Sequence, residues 1–302
     1  VAVGRLVETP AEIAGMIDAY VAANGVVAPA SSLVTGYDFL QDVADAVRTE
    51  LQAGTGRTPD ALITPATVSP ADTRTFAQGG PWTANDLRPR LLNTRHDVVF
   101  LAGHFNANSA LAADFTTSLV TSELAASTLF TNALVFSAGC HAGYNIVDSD
   151  AINGVTFPLD WAQAFARAKA TLVAGTGYQY GDTDFIEYSE RLYLNFAKQL
   201  RAGSGPVAVG TALVKAKLDY LAATPDIRGL HAKAVLEATL FGLPMMGVDM
   251  PAGRTPATSN AGVIATTPSP LSTPASALGL QTAELSVAPM LGMGTATLRN
   301  YD

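Results

Sequence analysis

Two runs in this sequence are apolar at every position, Val98-Val99-Phe100-Leu101 and Leu134-Val135-Phe136. A strand with water on one face alternates apolar and polar residues, so a continuous run needs cover on both faces. These two are therefore read as central strands of a mostly parallel sheet. Shorter runs of the same kind, stopped by Gly, Pro or Thr, predict further strands at Val1–Leu6, Ser32–Thr35, Ala61–Thr64 and Thr171–Ala174, with the central pair spanning Asp97–Ala102 and Ala133–Ala138. They alternate with helical patterns as far as residue 250, which is the signature of an α/β three-layer sandwich, a mostly parallel central sheet flanked by helices.

The helices carry their own signals. Thr9-Pro10-Ala11-Glu12 supplies an N-cap, a proline in the first turn and an early acid. Apolar residues at 3–4 spacing then mark helices at Asp38–Leu51, Leu159–Lys169, Asp184–Leu200 and Pro206–Leu221, with Asp184 placed as an N-cap. Their stripes read as core. From Thr255 to Ala283 there is no charged residue, and Pro, Ser, Thr and Ala dominate. Such a composition buries too little apolar surface to fold alone and suits a tether. The expected organisation is a folded domain at 1–250, a linker at 251–283, and a tail or the start of a following domain at 284–302. The opening Val1-Ala2-Val3 falls in mid-pattern, so the chain reads as a piece of a longer protein joined to further domains.

Composition excludes several classes. The 302 residues hold one cysteine, so no disulfide scaffold is available. No apolar stretch approaches the roughly 18 residues a membrane span needs. The net charge of −8 and the lack of any basic cluster argue against a nucleic-acid partner.

The single thiol and one histidine occupy matching positions. His104 follows one central strand through Ala102-Gly103, and Cys140 follows the other through Ala138-Gly139. Ligands bind beyond the carboxyl ends of strands in open α/β sheets, so parallel neighbours would bring both side chains to one rim. A thiolate is a strong nucleophile for acyl transfer and imidazole moves protons near neutral pH. The backbone N–H groups of Cys140 and Phe105 are then placed to receive an oxyanion. His141, adjacent to the cysteine, projects elsewhere in this reading. Taken alone, each residue is better explained as strand-end packing, and the coincidence of the two endings is what favours catalysis. A zinc site from Cys140, His104 and His141 lacks the usual ligand spacings. Gly175-Thr176-Gly177 with Gly181 is one residue too long for a dinucleotide loop and reads as a permissive turn.

A hydrophobic strand closing in His, and a second closing in Ala138-Gly139-Cys140-His141-Ala142-Gly143, together resemble the His and Cys blocks of the caspase-like cysteine peptidases, and among them the gingipain family. The order of other segments agrees. Val3-Gly4-Arg5-Leu6 and the Thr-Pro-Ala-Glu helix resemble that family's opening, Leu33-Val34-Thr35-Gly36-Tyr37-Asp38 its second strand, and Leu240-Phe241-Gly242-Leu243-Pro244-Met245 its closing segment. The resemblance covers about residues 1–250. It implies a caspase-like fold and a cysteine endopeptidase with Cys140 as nucleophile and His104 as the group that protonates the leaving amine.

It further implies cleavage after basic residues, with an acid pairing the substrate's charge. Asp182, Asp184, Glu187, Asp148 and Asp150 are the candidates, each also explicable as a cap or loop acid. Gly177, Tyr178 and Tyr180 would line the pocket wall. No cofactor or metal is called for, and a structural calcium ion is left open because no motif places one. The chain departs from the family at Phe105, where Gly usually follows the His, and at Leu243, where Gly-Asp-Pro would have Asp. The first departure keeps a second expectation in view, a catalytically inactive domain serving as a binding or structural module of a surface protein. The uncharged tail favours a secreted or surface location over a third reading, an intracellular signalling protease.

Overall fold

Both all-apolar runs lie at the centre of a six-stranded sheet. The computed structural model describes residues 1–124, 127–150, 159–251 and 254. The strands are β1 (Ser32–Gly36), β2 (Asp60–Ile63), β3 (Val98–Leu101), β4 (Leu134–Ser137), β5 (Thr171–Gly175) and β6 (Ala238–Phe241). Their spatial order is β6-β5-β4-β3-β1-β2, all parallel except β6, which runs antiparallel to β5. Every residue of β3 and β4 is buried, as two-sided cover demands.

That cover comes from two helical layers. Helices α1 (Pro10–Ala22), α3 (Ala84–Leu92) and α4 (Trp161–Arg167) pack with Val99, Leu101, Val135 and Leu172. On the other face α2 (Gln41–Thr55), α5 (Tyr188–Leu200), α6 (Val209–Ala223) and α7 (Leu230–Glu237) pack with Val98, Phe100, Leu134 and Phe136. Adjacent residues of one strand thus serve opposite cores. The Phe100 and Phe136 rings meet across the strands at 4.8 Å, and each buried ring of this size contributes roughly 1.5–3 kcal/mol through the area it removes from water.

Several expectations are corrected. Val1–Leu6 forms no strand; only Arg5 bridges to Phe241, its N–H donating to Leu240 O at 2.8 Å. The helix expected from Asp184 begins at Tyr188, and the capping residue is Glu187, because Asp182–Glu187 is held as a loop by Asp182 and Glu190. Asp38 opens a short 3-10 turn ahead of α2. The helix expected from Pro206 starts at Val209, after the two-residue strand Val207–Ala208. Helices α3 and α7, strand β6, a small sheet of Val26–Val27, Gly247–Val248 and Val207–Ala208, and the hairpin Ser109–Leu111/Ser118–Val120 were not foreseen. The linker and tail expected at 251–302 lie outside the described residues, save Pro251 and Arg254. Among the described residues no helix is long and apolar enough to cross a membrane.

Candidate active site

Strands β3 and β4 pair in register, Leu101 opposite Ser137, so the chain leaves both at the same rim. Past the strand ends the pairing is stitched on by Ala138 N–H donating to Leu101 O at 3.0 Å and by Ser137 Oγ donating to the same carbonyl at 2.8 Å. The Gly-His and Gly-Cys blocks therefore emerge side by side.

The end of β1 builds the histidine's surroundings. Tyr37, buried, accepts the His104 backbone N–H at 2.8 Å and donates to Leu111 O at 2.7 Å. A Cβ at position 103 would sit 2.5 Å from the Tyr37 ring, which is why glycine precedes the histidine. The next residue, Asp38, places Oδ2 at 3.0 Å from His104 Nε2. A carboxylate only accepts, so the proton is assigned to Nε2, leaving the Nδ1 lone pair free to take a proton. The rings of Tyr37, Phe39 and Phe115 stand 5.2–5.7 Å from the imidazole and fix its plane. Sequence reasoning missed Asp38 in this role, although its place just past a strand end was a usable signal.

The cysteine block needs its two glycines for space. A Cβ at Gly139 would meet the Phe105 ring at 2.3 Å, and one at Gly143 would meet Ala174 O at 2.5 Å. Phe105 also stacks on Trp161 at 5.5 Å, so its side chain is packing material under the cysteine loop. Among the described residues neither the Phe105 N–H nor the Cys140 N–H donates to another residue.

Cys140 is half-buried. Its sulfur accepts the Gln179 N–H at 3.4 Å and lies 3.7 Å from Gln179 O. Burial pushes the thiol pKa up; the Gln179 N–H and the cysteine's own N–H pull it down, and the Glu237 carboxylate adds a smaller upward push. No hydrogen bond joins the sulfur to the imidazole among the described residues. His141 sits in the left-handed region at φ 58°, with its N–H on Gly177 O at 2.8 Å and its ring against Tyr178 at 4.5 Å. Burial holds its pKa below the usual histidine value.

The expected pocket acids are distributed otherwise. Asp182 turns its carboxylate back onto the N–H groups of Asp184 and Phe185, at 2.9 and 3.3 Å. Asp184 and Asp150 are exposed, Glu187 pairs with Arg191 at 3.1 Å, and nothing is described of the Asp148 side chain. Tyr178 is exposed beside His141, and Tyr180 carries Lys233 over its ring at 5.4 Å. Gly177 lies against Glu237. Gln179, which meets the thiol, and Glu237, which holds Gln179, bear no sequence signal. Among the described residues no three His, Cys, Asp or Glu side chains gather as a metal site.

The layered sheet with its Cys and His blocks on one rim is a caspase-like arrangement, a fold shared with the gingipains. Solved structures bear this out. The chain superimposes on RgpB in the complex of its pro- and mature domains from Porphyromonas gingivalis with a TM-score of 0.55 at 15% identity, covering 82% of this chain and 56% of that one. The crystal structure of the Arg-specific cysteine proteinase gingipain R (RgpB) gives a TM-score of 0.51 at 15% identity, covering 82% and 55%. The chain thus spans about half the length of each. No protein-family model and no curated protein matches it.

Proposed function

We propose that this domain is a cysteine endopeptidase in which Cys140 is the nucleophile and His104 the acid–base group. The observation that carries the reading is the β3/β4 register, which brings two strand–Gly–X endings to one rim while Asp38 holds the imidazole. Cys140 gives its proton to His104 Nδ1, and the thiolate attacks the scissile carbonyl carbon. The oxyanion is received by the N–H groups of Cys140 and Phe105, neither of which donates to another residue among the described ones. The C–N bond breaks as the imidazolium protonates the leaving amine, which leaves a thioester. Water, giving its proton to His104, hydrolyses the thioester, and the thiol regains its proton.

The sulfur has to turn from Gln179 toward substrate for this, a rearrangement expected when catalytic contacts tighten only on binding. The same contact favours the second reading, an inactive module in which the thiol stays parked on Gln179. An activity-based acyloxymethylketone probe separates them. Wild-type protein labels at Cys140 and turns over peptides, Cys140→Ala does neither, and His104→Ala labels far more slowly. Equal labelling of wild type and His104→Ala without peptide turnover defeats the enzyme reading.

A preference for a basic residue before the scissile bond is supported by likeness to an Arg-specific neighbour. A peptide library varied at that position tests it, and a flat profile defeats it. The RgpB complex pairs a mature domain with a pro-domain, which suits a protein partner, and the tether-like composition after residue 251 suits a secreted or surface protein joined to further domains.

A further inference from the structure

Gly175-Thr176-Gly177 has nucleotide-loop glycines without nucleotide-loop length, and the structure shows a different use for them. A Cβ at Gly175 would lie 1.8 Å from Gln179 Nε2 and 2.6 Å from its Oε1. A Cβ at Gly177 would lie 2.9 Å from the Glu237 carboxyl carbon. The two glycines are slots that let a side-chain amide and a carboxylate lie directly on the backbone. The amide in the first slot is buried and well occupied. Gln179 Oε1 accepts from Tyr193 Oη at 3.3 Å, and Nε2 donates to Gly177 O at 3.3 Å and to Glu237 Oε2 at 3.4 Å. Gly177 O also takes the His141 N–H, so the same knot ties the loop after β5 to the cysteine loop.

The backbone of Gln179 meets the thiol, its N–H lying 3.4 Å from Cys140 Sγ. We propose that Gln179 is a positioning residue, clamped by Tyr193 and Glu237, whose side chain fixes its own backbone N–H on the Cys140 sulfur and so sets the thiol's reactivity. The assignment deepens the reading of Cys140 as nucleophile and rests on it. An N–H aimed at sulfur favours the thiolate over the thiol, but only while the donor is held in place. The loop carrying it has no regular structure, and its neighbours Tyr178 and Phe185 are exposed. The buried amide is what holds it.

The charged and titratable groups facing the knot are few. Glu237 holds the amide and acts on the thiol through its charge, as Tyr37 does from the end of β1; Tyr193 holds the amide from α5, His141 meets the Gly177 carbonyl, and Lys233 acts on Glu237 from α7. Burial keeps the Tyr193 hydroxyl protonated well above the ordinary tyrosine pKa, so it stays a donor across the working range.

Because the chain has one cysteine, its alkylation by iodoacetamide can be followed by mass as a function of pH on the whole chain. Gln179→Leu, close in volume but lacking the amide, is expected to move the inflection upward and slow alkylation at pH 7 about tenfold, the equivalent of one pKa unit. Tyr193→Phe removes one anchor and moves it the same way by about threefold, on the same scale. Glu237→Gln keeps an acceptor for Nε2 but removes the charge, and moves the inflection downward. Unmoved inflections in Gln179→Leu and Tyr193→Phe, with native circular dichroism and cooperative melting, overturn the clamp; if Gln179→Leu does not fold, Tyr193→Phe alone decides. Peptide turnover is measured alongside. Turnover without the shifts overturns the clamp and leaves the peptidase reading, whereas the shifts without wild-type turnover overturn the peptidase reading and leave the clamp.

Discussion

Asp38 and Glu190 show how differently two carboxylates are used within one rim. Asp38 is about half-exposed and acts on an imidazole. Asp38→Asn keeps the side chain's size but loses the charge that stabilises the imidazolium. Its kcat is expected to fall about tenfold or more with KM little changed, as steady-state kinetics on a peptide substrate would show; an unchanged kcat removes Asp38 from the mechanism. Glu190 is wholly buried. Its Oε2 accepts the N–H groups of Asp182 and Glu187, each at 3.1 Å, while Oε1 has no hydrogen-bond partner among the described residues. Burial pushes its pKa up to about 8 against the ordinary 4.5, and the negative charges of Asp42 and Asp182 add to this. With the folded value above the unfolded one, the unfolded chain releases this proton first as pH rises. The contribution is therefore full below about pH 4.5 and is lost progressively toward pH 8. Denaturant melts of wild type and Glu190→Gln should converge at low pH and diverge between those values, the variant gaining relative stability as pH rises. Parallel curves would show that the carboxyl titrates normally.

At the scale of elements, the ends of strands and helices decide where chemistry lies. Thr9 Oγ1 accepts the Glu12 N–H at 3.3 Å, and Glu12 Oε2 accepts the Thr9 N–H at 2.9 Å, closing a capping box. Glu12 also pairs with Arg167 at 2.6 Å and so ties α1 to α4. Thr9→Ala should cost about 1 kcal/mol, seen as a lower urea midpoint with unchanged slope; a changed slope would mean that α1 unfolds separately. This element was legible because its signals are local. The start of α5 was not, because Asp184 and Glu187 look equally suited to a cap and the choice falls to Glu190, which folds back onto Glu187 N–H. Strand β6 was also missed. It follows α7 without a breaker, and Ala238-Thr239-Leu240-Phe241 lacks the all-apolar run of an inner strand because it is an edge strand of the sheet.

For the molecule as a whole, a net charge of −8 and the acids around the rim should draw a cationic substrate. With a peptide bearing Arg before the scissile bond, kcat/KM is expected to fall several-fold between low salt and about 0.5 M, where the Debye length is only a few ångströms. A matched Leu peptide should show little change, and equal salt dependence would locate the effect away from that residue. The sequence by itself determined the layered sheet, its two central strands and the Gly-His and Gly-Cys endings, because burial on two faces and tight turns must be written into neighbouring residues. Tertiary structure decided the rest: that β3 and β4 are adjacent and in register, that β1 brings Asp38 to the imidazole, and that Gln179, itself held by Glu237, meets the lone thiol. Those contacts join residues about 40 to 70 positions apart, and which strands pair, and in which register, is settled only when the whole core packs.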